Sequence, residues 1–132
     1  MEPSSLPVLL VEDFAPFRNL IRTILEGRPS LHIIGEASDG LEAVQKATEL
    51  KPQLILLDIG LPFLNGFEVA RLVRKLAPDC KILFVSQEFS PDIVQEALNL
   101  GASGYVVKAR VAKDLLTAID AVIRGKHFVG GP

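Results

Sequence analysis

The stretch LILLDIGLPFLNG, residues 54–66, sets four apolar residues directly before a carboxylate at Asp58, and Gly60, Pro62 and Gly66 then interrupt any regular element. Four consecutive apolar residues bounded by turn formers read as a short strand buried on both faces. An acid that closes such a strand is commonly no more than a turn residue. Whether Asp58 is more than that depends on what the rest of the chain brings to the same place.

Four similar apolar runs occur at residues 8–11, 31–34, 82–85 and 105–107. Helix-period stripes lie between and after them. Phe17, Leu20, Ile21, Ile24 and Leu25 make one, and Val69, Leu72, Val73 and Leu76 another. Leu115, Ile119, Val122 and Ile123 follow the same spacing, with thinner stripes at Ala43, Val44, Ala47 and Leu50 and at Ile93, Val94, Ala97, Leu98 and Leu100. Gly27 and Pro29, Pro52, Pro78, Gly101 and Gly125 punctuate the ends. Alternation of this kind predicts parallel strands with right-handed crossovers and helices on both faces. The expected fold is therefore α/β, a flavodoxin-like (βα)5 doubly wound, five-stranded parallel sheet of order 2-1-3-4-5.

At 132 residues, with 48% hydrophobic and 23% charged residues, the chain is sized for one domain with its own core. Its net charge of −2 and lack of a Lys/Arg cluster give no support for nucleic-acid binding by this segment. A single Cys80, with only His32 and His127 as other soft ligands, excludes an internal disulfide and a zinc site, and implies a reducing compartment. The opening MEPSSLPVLLVEDF has no basic n-region and too short an apolar run for a signal peptide or a membrane span, so a cytoplasmic location is expected. The closing VGGP has the composition of a linker, which places a domain over 1–127 and the start of a linker at 128–132.

In a sheet of that order, ligands sit beyond the carboxyl ends of the strands, at the switch point between the first and third. Glu12 and Asp13 follow the first strand, Asp58 the third, Ser86 the fourth and Lys108 the fifth. Three converging carboxylates repel one another unless something positive sits among them. An all-oxygen set of this size favours Mg²⁺ over a softer metal. With the charge of an incoming phosphoryl group so drawn off, and Lys108 neutralising the remainder, Asp58 becomes a candidate phosphoryl acceptor. Taken singly, Glu12 or Asp13 could instead cap the first helix, Lys108 could be a solvated charge and Tyr105 plain packing. Asp39-Gly40 reads as a turn before the second helix.

The chain resembles the receiver domains of two-component response regulators over essentially its whole length. The likeness is carried by the acidic pair in VLLVEDF, by LLDIGLPFLNGFE, by Ser86 in ILFVSQ and by ALNLGASGYVVKA. It implies that Asp13 and Asp58 bind Mg²⁺ directly, that Glu12 does so directly or through water, and that the backbone carbonyl of Gly60 is a further ligand. It also implies that Asp58 accepts a phosphoryl group from a sensor histidine kinase, that Ser86 and Lys108 then engage it, and that Tyr105 swings inward as the switch. GASGYVVK, DLLTAIDAVIRG and KHFV are similar to receivers that precede a LuxR-type helix-turn-helix. An output domain controlling transcription, and a homodimer, are therefore expected partners.

Two positions depart from the pattern of that family. Gln87 stands where a small residue is usual and Ala109 where Pro is usual, so Gln87, with Glu88, is expected to modulate the lifetime of the phosphorylated state. A cis Lys108–Ala109 bond would cost about 3 kcal/mol, which predicts a trans bond. These departures also motivate an alternative, a degenerate receiver acting as a phosphorylation-independent interaction module. A nucleotide- or flavin-phosphate binder would need a Gly/Ser/Thr-rich loop where VEDFAPF puts two acids. An enzyme acting on a separate substrate would need a general base or second nucleophile beside Asp58. Self-phosphorylation and loss of that phosphoryl group are the only chemistry expected.

Overall fold

The computed structural model describes residues 5–131; residues 1–4, at the start of the opening stretch, and Pro132, the last residue of VGGP, lie outside the described residues. The strands are β1 (Leu6–Val11), β2 (Leu31–Ala37), β3 (Leu54–Leu57), β4 (Lys81–Ser86), β5 (Gly104–Val107) and β6 (Phe128–Val129). The helices are α1 (Ala15–Glu26), α2 (Gly40–Leu50), α3 (Gly66–Leu76), α4 (Pro91–Asn99) and α5 (Val111–Ile123), with a 3₁₀ turn at Lys108–Arg110 leading into α5. All strand pairs are parallel and the order is β2-β1-β3-β4-β5-β6.

Strand side chains alternate between two buried layers, which is why the central strands are continuously apolar. Leu9, Val11, Ile55, Leu57, Ile82, Phe84 and Tyr105 face α2, α3 and α4, where Ala43, Ala47, Val69, Val73, Val94 and Ala97 close the core. Val8, Leu10, Leu54, Leu56, Leu83, Val85 and Val106 face α1 and α5, against Ile21, Leu25, Leu115, Ile119 and Val122. Not every residue of the predicted stripes is buried: Leu20, Leu50, Leu76 and Ile123 remain exposed at stripe edges.

Local chemistry fixes where the helices begin. Asp39 caps α2, its side chain accepting from the Glu42 amide at 2.8 Å. Asn65 and Glu68 form a reciprocal capping box on α3, and Ser90 caps α4 with Pro91 just inside. Gly66 is required by close approach: a Cβ there would lie 2.2 Å from the Asp58 carbonyl oxygen. The first residue of α3 thus packs on the backbone of Asp58, and the Gly66 amide donates to the Ile59 carbonyl at 2.7 Å.

The sheet differs from the expected one at its end. Among the described residues it has six strands rather than the five expected, because Phe128 and Val129, whose setting predicts a linker, pair with Gly104 and Tyr105. The Phe128 amide reaches the Ser103 carbonyl at 3.3 Å and the Gly130 amide reaches that of Tyr105 at 2.9 Å, while the Phe128 ring packs on the α1/α5 core. Backbone pairing over two residues leaves no periodicity to detect. Among the described residues, no helix is long and apolar enough to cross a membrane.

Candidate functional site

Register brings the strand ends together. Val11 lies beside Leu57, Leu57 beside Phe84, and Ser86 beside Val107. The residues that follow, Glu12, Asp58 and Lys108, therefore emerge at one edge of the sheet with Ser86. They line a cleft of about 570 Å³ together with Asp13, Gly60, Gln87, Glu88 and Ala109, and with Phe14, Phe17 and Ile59. His32 and His127 are exposed and outside it, and Cys80 is a buried thiol whose pKa burial pushes up to about 12.

Glu12, Asp58 and Ser86 are the buried polar residues of the described chain, whereas Asp13 is exposed at the mouth. One carboxylate oxygen from each of Glu12, Asp13 and Asp58 falls within 4.8 Å of the others. Asp58 Oδ1 accepts from the Ile59 amide at 2.8 Å, and Asp58 Oδ2 accepts from Lys108 Nζ at 3.2 Å. Glu12 Oε2 accepts from the Phe14 amide at 3.0 Å, the residue just before α1, and the Glu12 carbonyl accepts from Arg18 at 2.7 Å. Glu12 is thus fixed by the start of α1 without being its side-chain cap.

The other oxygen, Glu12 Oε1, lies 2.9 Å from Lys108 Nζ, a contact of charges not angled as a hydrogen bond, and among the described residues no donor is directed at it although it is buried. Burial pushes the Glu12 carboxyl above its ordinary range, outweighing Lys108 and the Phe14 amide, and the Asp58 charge adds to the rise. Burial disfavours the Lys108 ammonium, but Glu12 and Asp58 outweigh it and hold Lys108 above its ordinary value. One ammonium thus faces three clustered acids. A buried carboxylate oxygen without a donor, next to two further carboxylates, fits a small hard divalent cation such as Mg²⁺.

Ser86 Oγ accepts from the Glu88 amide at 3.2 Å, and the Tyr105 hydroxyl donates to the Glu88 carbonyl at 2.5 Å. Tyr105 departs from the expected inward swing: its ring is already fully buried, packed by the rings of Phe84 and Phe89 and held by the hydroxyl bond to Glu88, and its burial raises the phenol pKa. Gln87 and Ala109 are exposed on the cleft wall. No described peptide bond is cis, so Lys108–Ala109 is trans, as a chain without Pro there predicts, and the loop turns through Lys108–Arg110 directly into α5.

Sequence reasoning missed Ile59, whose contribution is a backbone amide that any residue but proline supplies, and Phe17. Phe17 packs on the α1/α5 core as its place in the helical stripe predicts, and its ring also lies 4.8 Å from Lys108 Nζ. Only the tertiary fold brings residues so far apart in the chain together.

Residues 8–120 match the response regulator receiver domain family. Over 103 residues the chain is 43% identical to a protein-glutamate methylesterase/protein-glutamine glutaminase of Thermotoga maritima, which covers 76% of this chain and 30% of that protein. It is 33% identical over 122 residues to the response regulator protein VraR of Staphylococcus aureus, 92% of this chain and 58% of that protein. The chain thus spans well under two thirds of the length of these curated relatives. Among solved structures, a LuxR-family two-component response regulator from Aurantimonas sp. SI85-9A1 superposes with a TM-score of 0.90 at 30% identity, covering 95% of this chain and 89% of that one. The response regulator domain of Thermotoga maritima CheB gives a TM-score of 0.84 at 36% identity, covering 91% and 97%.

Proposed function

The chain belongs to the response regulator receiver family of two-component systems, and from that premise we propose that it is a phosphorylation-gated switch whose phosphoryl acceptor is Asp58. The observation that carries the reading is the setting of that one carboxylate. Asp58 closes the central strand, is only 6% exposed, and has one oxygen fixed by the Ile59 amide and the other by Lys108, with two more acids within 4.8 Å.

In the proposed step an Asp58 oxygen forms a bond to phosphorus in line with the departing group. The phosphorus–nitrogen bond of a kinase phosphohistidine breaks, and the imidazole leaves with the electron pair and takes a proton from water. The Ile59 amide orients the carboxylate, and Lys108 offsets charge on the phosphoryl oxygens. Asp13 and Asp58, Glu12 directly or through water, and the Gly60 carbonyl would hold Mg²⁺, which when bound supplies further charge withdrawal from the phosphoryl group. Ser86 then turns to a phosphoryl oxygen, which frees the Glu88 amide it now satisfies. The partners that follow are a sensor histidine kinase and an output domain controlling transcription, with a cytoplasmic setting and a homodimer as further parts of this proposal. Nucleic-acid contact would belong to the output domain.

Intact mass after incubation with acetyl phosphate and Mg²⁺, beside Asp58→Ala, tests it. One added phosphoryl group that needs both Mg²⁺ and Asp58 is expected. No adduct, together with no NMR response to beryllofluoride, would overturn the switch in favour of a phosphorylation-independent interaction module, the reading that Gln87 and Ala109 favour.

A further inference from the structure

Beyond the groups that receive the phosphoryl moiety, we infer that Phe17 is a positioning residue for the Lys108 ammonium, so that its ring sets how fast Asp58 is phosphorylated. This inference rests on the acceptor reading above.

Phe17 belongs to the first turn of α1, where side chains lean toward the helix N-terminus and hence toward the cleft. Its ring is half-buried, anchored on the α1/α5 core, and also forms part of the cleft wall. The ammonium of Lys108 lies 4.8 Å from the ring centroid, a cation–π distance. Its other neighbours are Asp58 Oδ2 at 3.2 Å and Glu12 Oε1 at 2.9 Å, the second of which is not a directed hydrogen bond. Directional bonds to the acids therefore account for only part of how this flexible side chain is held. The aromatic face supplies a third, non-directional support.

A non-directional support suits a group that must change partners. When phosphorus joins Asp58, the ammonium has to turn from a carboxylate oxygen to a phosphoryl oxygen. Hydrogen bonds break during that turn, but attraction to a ring face persists through it. The ring also shields one side of the ammonium from water, which strengthens its remaining interactions.

The experiment compares the wild-type chain with Phe17→Leu, which keeps an apolar side chain but removes the ring, and with Phe17→Tyr, which keeps the ring. The rate of phosphorylation by acetyl phosphate with Mg²⁺ is followed by intact mass, and the Lys108 ε-methylene protons by NMR on the same samples without phosphodonor. Phe17→Leu is expected to be slowed roughly two- to fivefold, the range a partly exposed cation–π contact supplies, and to lose the upfield ring-current shift of the Lys108 protons. Phe17→Tyr is expected to restore both. An unchanged Lys108 shift in Phe17→Leu overturns the inference, and so does an equal slowing in Leu and Tyr variants, which would mark a structural role only. Failure of the wild-type chain to acquire a phosphoryl group would sink the acceptor reading instead, with the Lys108 shifts still deciding whether Phe17 places the ammonium.

Discussion

Phe63 sits in left-handed backbone, at a φ of 71°, with 78% of its surface exposed. A β-carbon crowds the backbone in that region, and an aromatic residue has no local polar contact to compensate. Exposure means that removing the ring forfeits little packing. Phe63→Gly is therefore expected to raise stability by up to about 1 kcal/mol, after allowance for the greater freedom of glycine in the unfolded chain. Thermal unfolding would read this as a rise of a few degrees, whereas a fall would show that the ring makes a contact that offsets its strain. Legibility at this scale follows the same logic of position. Asp58, Glu12, Ser86 and Lys108 could be read because each ends an apolar run, and the sheet order converts strand ends into neighbours. Phe17 could not, since an aromatic in a helical stripe looks the same whether it meets the core or an ammonium. Nor could the 78% exposure of Phe63 be read, because nothing in GLPFLNG specifies its backbone conformation.

At the scale of elements, α1 is clamped to the edge strand β2 by charge. Arg22 reaches both oxygens of Glu36, at 2.8 and 2.6 Å, and Arg18 approaches at 3.3 Å. The Arg22 hydrogen bond, opposed by partial burial and aided by both positive charges, holds the Glu36 carboxyl below its ordinary value of 4.5. A carboxyl held below its unfolded value stabilises the fold above that value and loses this contribution as pH falls through the folded one. Glu36→Gln is thus expected to melt at lower temperature than wild type at pH 7, with the gap closing as the pH drops below about 4.5. A gap that does not change with pH would assign the loss to something other than charge. The clamp lies on the part of β2 that runs past its apolar stretch. The apolar run predicts a strand over residues 31–34, but β2 continues to Ala37, past a register shift between Val8 and Leu9 in its partner. Gly35 and Glu36 end the apolar run without ending the pairing, because an edge strand can carry polar residues toward solvent. By contrast β3, buried on both faces, has the bounds that its sequence predicts.

Across the whole molecule, the acidic cleft is joined to the far edge of the sheet by a series of backbone and hydroxyl contacts. Ser86 Oγ holds the Glu88 amide, the Glu88 carbonyl accepts from the Tyr105 hydroxyl, and the Tyr105 carbonyl accepts from the Gly130 amide beyond β6. The Phe89 ring packs edge-on against Tyr105, with ring centroids 6.2 Å apart. The five-unit fold was legible because periodicity is a property of long segments, and this last link was not, because β6 has two residues. If Ser86 turns to a phosphoryl oxygen, the Glu88 amide loses its acceptor and the loop after β4 must rearrange. The Tyr105 hydrogen bond then weakens, and the edge pairing at Gly130 has less to hold it. A whole bond of this kind is worth about 0.5–1.5 kcal/mol, which bounds the effect, so beryllofluoride with Mg²⁺ is expected to accelerate hydrogen exchange at the Gly130 amide by at most roughly two- to tenfold. In Tyr105→Phe the ring packing is kept but the hydroxyl is gone, and the acceleration should vanish while the cleft still responds to beryllofluoride by NMR. Equal acceleration in both proteins would mean that the edge senses the cleft through packing rather than through the Tyr105 hydroxyl. An unchanged Gly130 amide in the wild-type chain, with the cleft responding, would mean that β6 is a fixed part of the sheet and does not follow the switch.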